Sequence, residues 1–379
     1  MHLGSGIAVP PLVLKATDAK PAAAAQPTPP PTPVLAEDED DADDDGSTPA
    51  TATPCDWELH MQRDARGRLI EFGRGVWSAV YSAVARSRSP AAAPGRIVAV
   101  KTPLRRDAHR ILQVEAALLS RLSRVAGHER YLVPFDGFAA AEHALVMAAV
   151  PLTLATYITS QATLARERFS THTMFDPMLG MERWLAVAGR LVEGLAWLHD
   201  TALVVHGDVK PQNILLRVRE HDDVFPYDPL YVDFTSADDL SSPSAGRQNH
   251  ALALSALTPP FAAPELLTIA ALTSDTLAPS KAADIFSLAV TLLTAATGDL
   301  HLYPGAGSMQ CLVMSREGHR VIDFVRSGVN GSRVPRNGAV ERILAPAVLR
   351  DPDSRVRPGA WLDLIHAEKT ASPITPAQL

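Results

Sequence analysis

The stretch that most constrains this sequence is His206-Gly207-Asp208-Val209-Lys210-Pro211-Gln212-Asn213. An acid, a lysine two residues on and an asparagine three beyond that lie between two apolar runs, Leu203-Val204-Val205 and Ile214-Leu215-Leu216. A second acid stands in Tyr231-Val232-Asp233-Phe234-Thr235. Short apolar runs bounded by turn residues read as strands, so the polar residues sit on a loop gripped by core on both sides. A plain polar turn would not need this set of residue types. The combination is an unlikely accident.

Three weaker constellations share the chain. Gly73-Arg74-Gly75-Val76-Trp77-Ser78-Ala79-Val80 lies between strand-like runs, where residues without a Cβ let backbone N–H groups approach phosphates; a hairpin turn would look the same. Lys101 ends the run Val98-Ala99-Val100, and Glu115 falls within a helical period over 107–124 marked by Ile111, Leu112, Val114, Leu118, Leu119 and Leu122. An ammonium fixed by a carboxylate can hold two phosphate oxygens, although a lysine ending a strand is more often a solvated charge. Last come Thr258-Pro259-Pro260-Phe261-Ala262-Ala263-Pro264-Glu265 and Asp284, an acid inside the apolar stretch Ala282 to Leu293. A buried acid there needs donors, which the loop around Asp208 could supply, and Arg355 could pair with Glu265.

Strand-like runs at 69–72, 76–84, 97–100, 131–138 and 144–150 precede mainly helical sequence, clearest at 152–160, 181–200 and 281–297. The expectation is an α+β fold of two lobes, a small strand-rich one and a larger helical one. The expected divisions are a leader over 1–54, an N-lobe over 55–149, a C-lobe over 150–365 and a tail over 366–379. Residues 217–227 read as a surface hairpin.

Charge is unevenly spread. The leader holds 2 Lys against 9 acidic residues, with a run from Glu37 to Asp45 and 10 of the 31 prolines. It buries too little apolar surface to offset its ordering entropy and is expected to be disordered, with partners for its acidic run as one use. The rest carries 33 residues of each sign, which argues against direct nucleic-acid binding. No apolar run is long enough to span a bilayer, so no membrane insertion is expected. The first ten residues lack the basic and apolar regions of a secretory signal, and Cys55 and Cys311 are too few for a disulfide framework. An intracellular soluble protein is expected.

Over roughly residues 65–365 the ordered set of segments resembles the eukaryotic-type Ser/Thr protein kinase superfamily. The resemblance implies the two-lobed protein-kinase fold, with ATP and Mg2+ in the cleft and protein substrates bearing Ser/Thr acceptors. It assigns Gly73 and Gly75 to cover the phosphates, and Lys101, paired with Glu115, to position them. Val80, Ala99 and Leu215 would enclose the adenine, with Met147 as gatekeeper and Ala148, Ala149 and Val150 as hinge. Asp208 would accept the substrate proton, Lys210 would touch the γ-phosphate, Thr258 would bond to both, and Asn213 and Asp233 would hold magnesium.

The pattern also departs from the family. Ser78 stands for the third glycine of the loop, Gly207 for the arginine before the catalytic acid, and Thr235 for the glycine after Phe234. Leu257 and Ala289 also replace usual glycines. Without an arginine at 207 the basic pocket for a phosphorylated segment is missing, so activity independent of phosphorylation between residues 233 and 265 is expected. With the Ala/Pro/Arg-rich composition and acidic leader, the chain looks similar to the herpesvirus tegument Ser/Thr kinases, which would imply virion tegument and host nucleus. Two rivals use related folds. A pseudokinase scaffold would bind nucleotide without phosphoryl transfer, and Thr235 is its best support. A small-molecule phosphotransferase would generally lack the Thr258–Glu265 segment.

Overall fold

A computed structural model of the protein describes residues 52–87, 95–168, 170–219, 224–241, 257–272, 278–303 and 305–371. Most of the expected leader therefore lies outside the described residues. The first part is a six-stranded antiparallel sheet in the order β1-β3-β4-β6-β5, with β2 also on β3. Its strands are β1 (Trp57–Met61), β2 (Glu71–Arg74), β3 (Ser78–Ser87), β4 (Arg96–Pro103), β5 (Phe135–Ala139) and β6 (Ala144–Ala148).

One face of the curled sheet is built from small residues. Ala83, Ala85, Val98, Val100, Ala144 and Val146 form a separate buried cluster, packed by Cys55, Trp57, Leu59 and Met61. Strand residues two apart share a face, so Val80, Ala99 and Lys101 point the other way. On that side lies α1 (Ala108–Leu122), whose Leu112, Ala116 and Leu119 join Leu145 in the main core. The chain also spans the sheet from edge to edge. Phe138 N donates to the Thr53 carbonyl (2.8 Å) and Cys55 N to the Phe138 carbonyl (3.0 Å), after which β1 pairs with β3.

The second part is mainly helical. Its main helices are α3 (Leu154–Glu167), after the single turn α2 (His128–Tyr131), and α4 (Met181–Ala196), extended by a π turn over Trp197–Thr201. After another single turn, α5 (Ile269–Leu272), comes α6 (Lys281–Thr297). Helix α6 is buried on all sides from Ala283 to Thr297, as expected of a helix that is apolar all round. The Ser280 hydroxyl caps its first turn by accepting from Ala283 N (3.1 Å). Between α4 and α6 run four short strands: β7 (Val204–Val205) pairs with β10 (Asp238–Asp239), and β8 (Ile214–Val218) with β9 (Tyr227–Tyr231).

Several expectations shift. The strand expected over 131–138 starts only at Phe135, because residues 128–131 form α2. The strand expected over 69–72 is displaced to 71–74, and the helix expected over 152–160 continues to Glu167. Of the surface hairpin expected over 217–227, residues 220–223 lie outside the described residues. Val218 pairs with Tyr227, and Phe225 is fully buried against Tyr157 and Tyr227, so the segment is not wholly a surface element. The boundary at 365 falls inside the helix Pro358–Ala371, where Glu368 forms a bidentate pair with Arg342 (2.6 and 2.7 Å). Thr53 and Pro54, assigned to the leader, belong by their pairing to the sheet.

Candidate active site

Strand β4 delivers Lys101 and α1 delivers Glu115 to one buried point. The Lys101 ammonium bonds both Glu115 oxygens (2.8 and 2.7 Å) and Asp233 Oδ1 (2.8 Å). Lys101 is 4% exposed and Glu115 2%. Burial works to lower the lysine pKa, but the Asp233 and Glu115 carboxylates reverse this and it is pushed up to about 12. Burial likewise favours a neutral Asp233, yet Lys101, the Thr235 hydroxyl and Lys210 hold it well below the usual carboxylate range. Two carboxylates share one ammonium, and burial pushes the pKa of Glu115 up.

The segment after Asp233 is held by the same groups. Phe234 N donates to Glu115 Oε1 (2.9 Å) and the Thr235 hydroxyl to Asp233 Oδ1 (2.8 Å). Asp233 itself has φ 67°, a left-handed conformation uncommon for a residue with a side chain. One guanidinium ties the surroundings together. Arg121 of α1 bonds both oxygens of Asp239 (2.8 and 2.9 Å) and the Ala202 carbonyl (3.0 Å).

Between β7 and β8 lies the loop that carries Asp208. Its Oδ2 accepts from Lys210 (2.6 Å) and Asn213 (2.9 Å), while among the described residues Oδ1 has only a long contact, with the Thr258 hydroxyl (3.5 Å). Lys210 also donates to Thr258 Oγ1 (3.1 Å). Burial outweighs Lys210 here, and the Asp208 pKa is pushed up to about 6. Oδ1 is thus the oxygen left to take a proton. Asn213 Nδ2 bonds Asp208 twice, which fixes its amide orientation and turns Oδ1 elsewhere.

The loop hangs from Asp284, at the start of α6. Its carboxylate accepts from His206 N (2.7 Å), Gly207 N (2.9 Å) and His199 Nε2 (2.9 Å). His206 is a buried neutral brace, its pKa lowered by burial. Its Nδ1 accepts from Asp208 N (3.3 Å), so Nε2 is the nitrogen that donates to the Val232 carbonyl (3.2 Å). Gly207 has φ 78°, and a Cβ there would lie 2.2 Å from the Ser236 carbonyl oxygen. The missing arginine is therefore also the space into which the 235–237 turn settles. Sequence reasoning missed that contact, and it missed Arg121–Asp239 and His199–Asp284.

Several of the other assigned residues sit on strands that pair with or adjoin β4. Val80 pairs with Lys101, and Ala99 with Met147, and opposed residues of an antiparallel pair share a face. Met147 packs with Val133 and Leu230, and Leu215 of β8 and Ala148 lean on that cluster. Ala149, half-buried, follows β6 directly. Gly73 lies in β2, paired with Val80, and Gly75 in the β2–β3 turn, where its N donates to the Ser78 carbonyl (2.8 Å). A Cβ on Gly73 would meet nothing within 4 Å, and one on Gly75 only the Ser78 oxygen at 3.8 Å. No packing within the described residues therefore requires glycine at either place. Farther off, Arg355 grips Glu265 with two bonds of 2.7 Å and reaches the Ala282 and Leu349 carbonyls.

The residues fit the groups that such a cleft would hold. A hard divalent cation such as Mg2+ takes one or two side-chain oxygens and completes its shell with phosphate and water. Asp233 Oδ2 and Asn213 Oδ1 are the oxygens not used by the bonds above. A buried ammonium already paired with a carboxylate suits phosphate oxygens.

No curated protein matches the chain significantly. The family model of the protein kinase domain matches residues 68–335, well over half of the chain, and spans both the sheet and the site just described. No helix among the described residues is long and apolar enough to cross a membrane. With its strand-rich curled sheet, helical second part and matched domain, the chain belongs to the protein kinase family, of the eukaryotic-type superfamily.

Proposed function

We propose that the protein is an active serine/threonine kinase, transferring the γ-phosphoryl group of ATP to protein hydroxyls with Mg2+. The observation that carries this is the state of Asp208. Its carboxylate is oriented by Lys210 and Asn213 while Oδ1 faces no strong donor. A base with a pKa near 6 is ionised at neutral pH yet still able to accept a proton. Oδ1 would take the hydroxyl proton while Lys210, beside it, neutralises charge on the transferring group. Asp233 and Asn213 would hold the cation, whose positive charge would offset that of the phosphate. Lys101, pinned by Glu115, would fix the nucleotide. The Lys210–Thr258 contact supports Ser/Thr acceptors, because it closes the loop around a lysine two residues from the base. The resemblance to tegument kinases adds virion tegument and host nucleus as the places to look for it.

The test is phosphate transfer to a peptide library by the full chain, with Asp208→Asn as control. Transfer to Ser and Thr peptides that vanishes in the control supports the proposal; equal signal in both sinks it. The second reading, a nucleotide-binding scaffold, is favoured by the Thr235 hydroxyl on Asp233. A nucleotide- and Mg2+-dependent thermal shift without any transfer would establish it.

A further inference from the structure

Thr235 departs from the family pattern, and its hydroxyl touches the site. We infer that Thr235 is a positioning residue that orients the Asp233 carboxylate toward the cation. This deepens the function proposed above and rests on that reading of Asp233.

Geometry makes the case. Asp233 Oδ1 accepts from both Lys101 Nζ and Thr235 Oγ1, each at 2.8 Å. The two donors converge on one oxygen, while Oδ2 takes no bond from the other described residues. The Asp233 side chain is 36% exposed, against 4% for Lys101 beside it, so the carboxylate is open to a ligand in a way the ammonium is not. With Lys101 alone, the carboxylate could rotate about χ2 and trade one oxygen for the other. A second donor, fixed two residues away, opposes that rotation.

Backbone conformation explains why a β-branched residue is tolerated. Among residues other than glycine, positive φ occurs at Asp233 but not at Thr235, so the usual glycine is not required for its left-handed freedom. The turn is also braced without it, through Phe234 N on Glu115 and Ala237 N on the Phe234 carbonyl (3.1 Å). What Thr235 adds is one charge-assisted hydrogen bond to the carboxylate.

The test uses the full chain with a non-hydrolysable ATP analogue, titrating Mg2+ and, in parallel, Mn2+, and reading the thermal shift. Thr235→Val keeps the shape and removes the donor, Thr235→Gly removes the side chain, and Thr235→Ser keeps the hydroxyl. The Val and Gly variants should need roughly 10- to 150-fold more cation for the half-maximal shift, the range for loss of one bond to a charged group. The Ser variant should stay within about twofold of wild type. Unchanged cation requirement in Val and Gly would overturn the proposal. Tighter cation binding in those variants would overturn it too, since the hydroxyl would then be competing with the metal. Equal weakening in Ser would show that shape, not the hydroxyl, matters, and would also refute it. The readout is binding, so absence of phosphate transfer by wild type would refute the proposed activity while these titrations still decide the role of Thr235.

Discussion

Putting a side chain back at residue 207, where the family carries arginine, should damage the protein rather than improve it. Consider Gly207→Ala. The backbone sits at φ 78°, which costs a residue with a Cβ roughly 1–2 kcal/mol. The new carbon would lie 2.2 Å from the Ser236 oxygen and 3.0 Å from the Ser236 carbonyl carbon. Relieving that overlap means moving the 235–237 turn by about 1 Å. The turn cannot drift freely, because Phe234 N is tied to Glu115, Thr235 to Asp233, and β10 to β7. Overpacking of a braced site adds about 1–3 kcal/mol. The sum is about 2–5 kcal/mol, a large share of the roughly 5–15 kcal/mol that holds a domain together. Urea denaturation measures it, with Gly73→Ala as comparator because a Cβ there meets nothing. Gly207→Ala and Gly207→Arg should lose about 2–5 kcal/mol and at least tenfold in phosphate transfer, while Gly73→Ala stays within about 0.5 kcal/mol of wild type. A Gly207→Ala protein as stable as wild type would refute the reasoning.

Other expectations follow from the same geometry. The Arg355 side chain is fully buried with Glu265 as its charge partner, so Glu265→Gln or Arg355→Leu should cost about 3–5 kcal/mol by denaturation; a loss under 1 kcal/mol would show the pair to be dispensable. Asp284→Asn replaces an acceptor shared by three donors with a group that itself donates, and should lower transfer at least tenfold by loosening the Asp208 loop; unchanged kcat would contradict this. His206 is neutral when folded because burial lowers its pKa below the ordinary 6.5. The unfolded chain then binds the extra proton as pH falls below about 6.5, so stability present above that pH is lost below it. Replacing His206 with Phe should flatten the slope of unfolding free energy between about pH 5 and pH 7, and an equal slope in both proteins would exclude His206 as its source. Arg121→Met should raise hydrogen exchange at residues 235–241, since one guanidinium holds Asp239 and the Ala202 carbonyl.

The site was legible in the sequence where residue types announce a chemistry. Lys101, Glu115, Asp208, Asn213 and Asp233 could be named because their types and their order along the chain resemble the protein-kinase motif set, although the lysine and its glutamate are ambiguous singly. Asp284 could be paired with the Asp208 loop because an acid inside an apolar stretch needs donors. What escaped were contacts set by backbone approach. Gly207 reads as a missing arginine until Ser236 is seen against it, and the two are brought together only by the pairing of β7 with β10. Arg121 and Asp239 are 118 positions apart, on segments with no periodicity in common. In the fold, alternation located most strands, but residues 131–134 misled because apolar Leu132 and Val133 pack as a connection after α2. Phe225 misled in the opposite sense, a buried anchor within a turn-like stretch.

The crossing formed by Thr53 to Met61 has a practical consequence. Its first residues cap the outer margin of β5 and its later ones complete the margin of β3, yet the matched domain begins only at 68. A chain trimmed to that match would leave the Phe138 amide and carbonyl without mates, a ready template for another molecule. Shortened versions should therefore self-associate through β5, whereas chains retaining residue 52 onward should not.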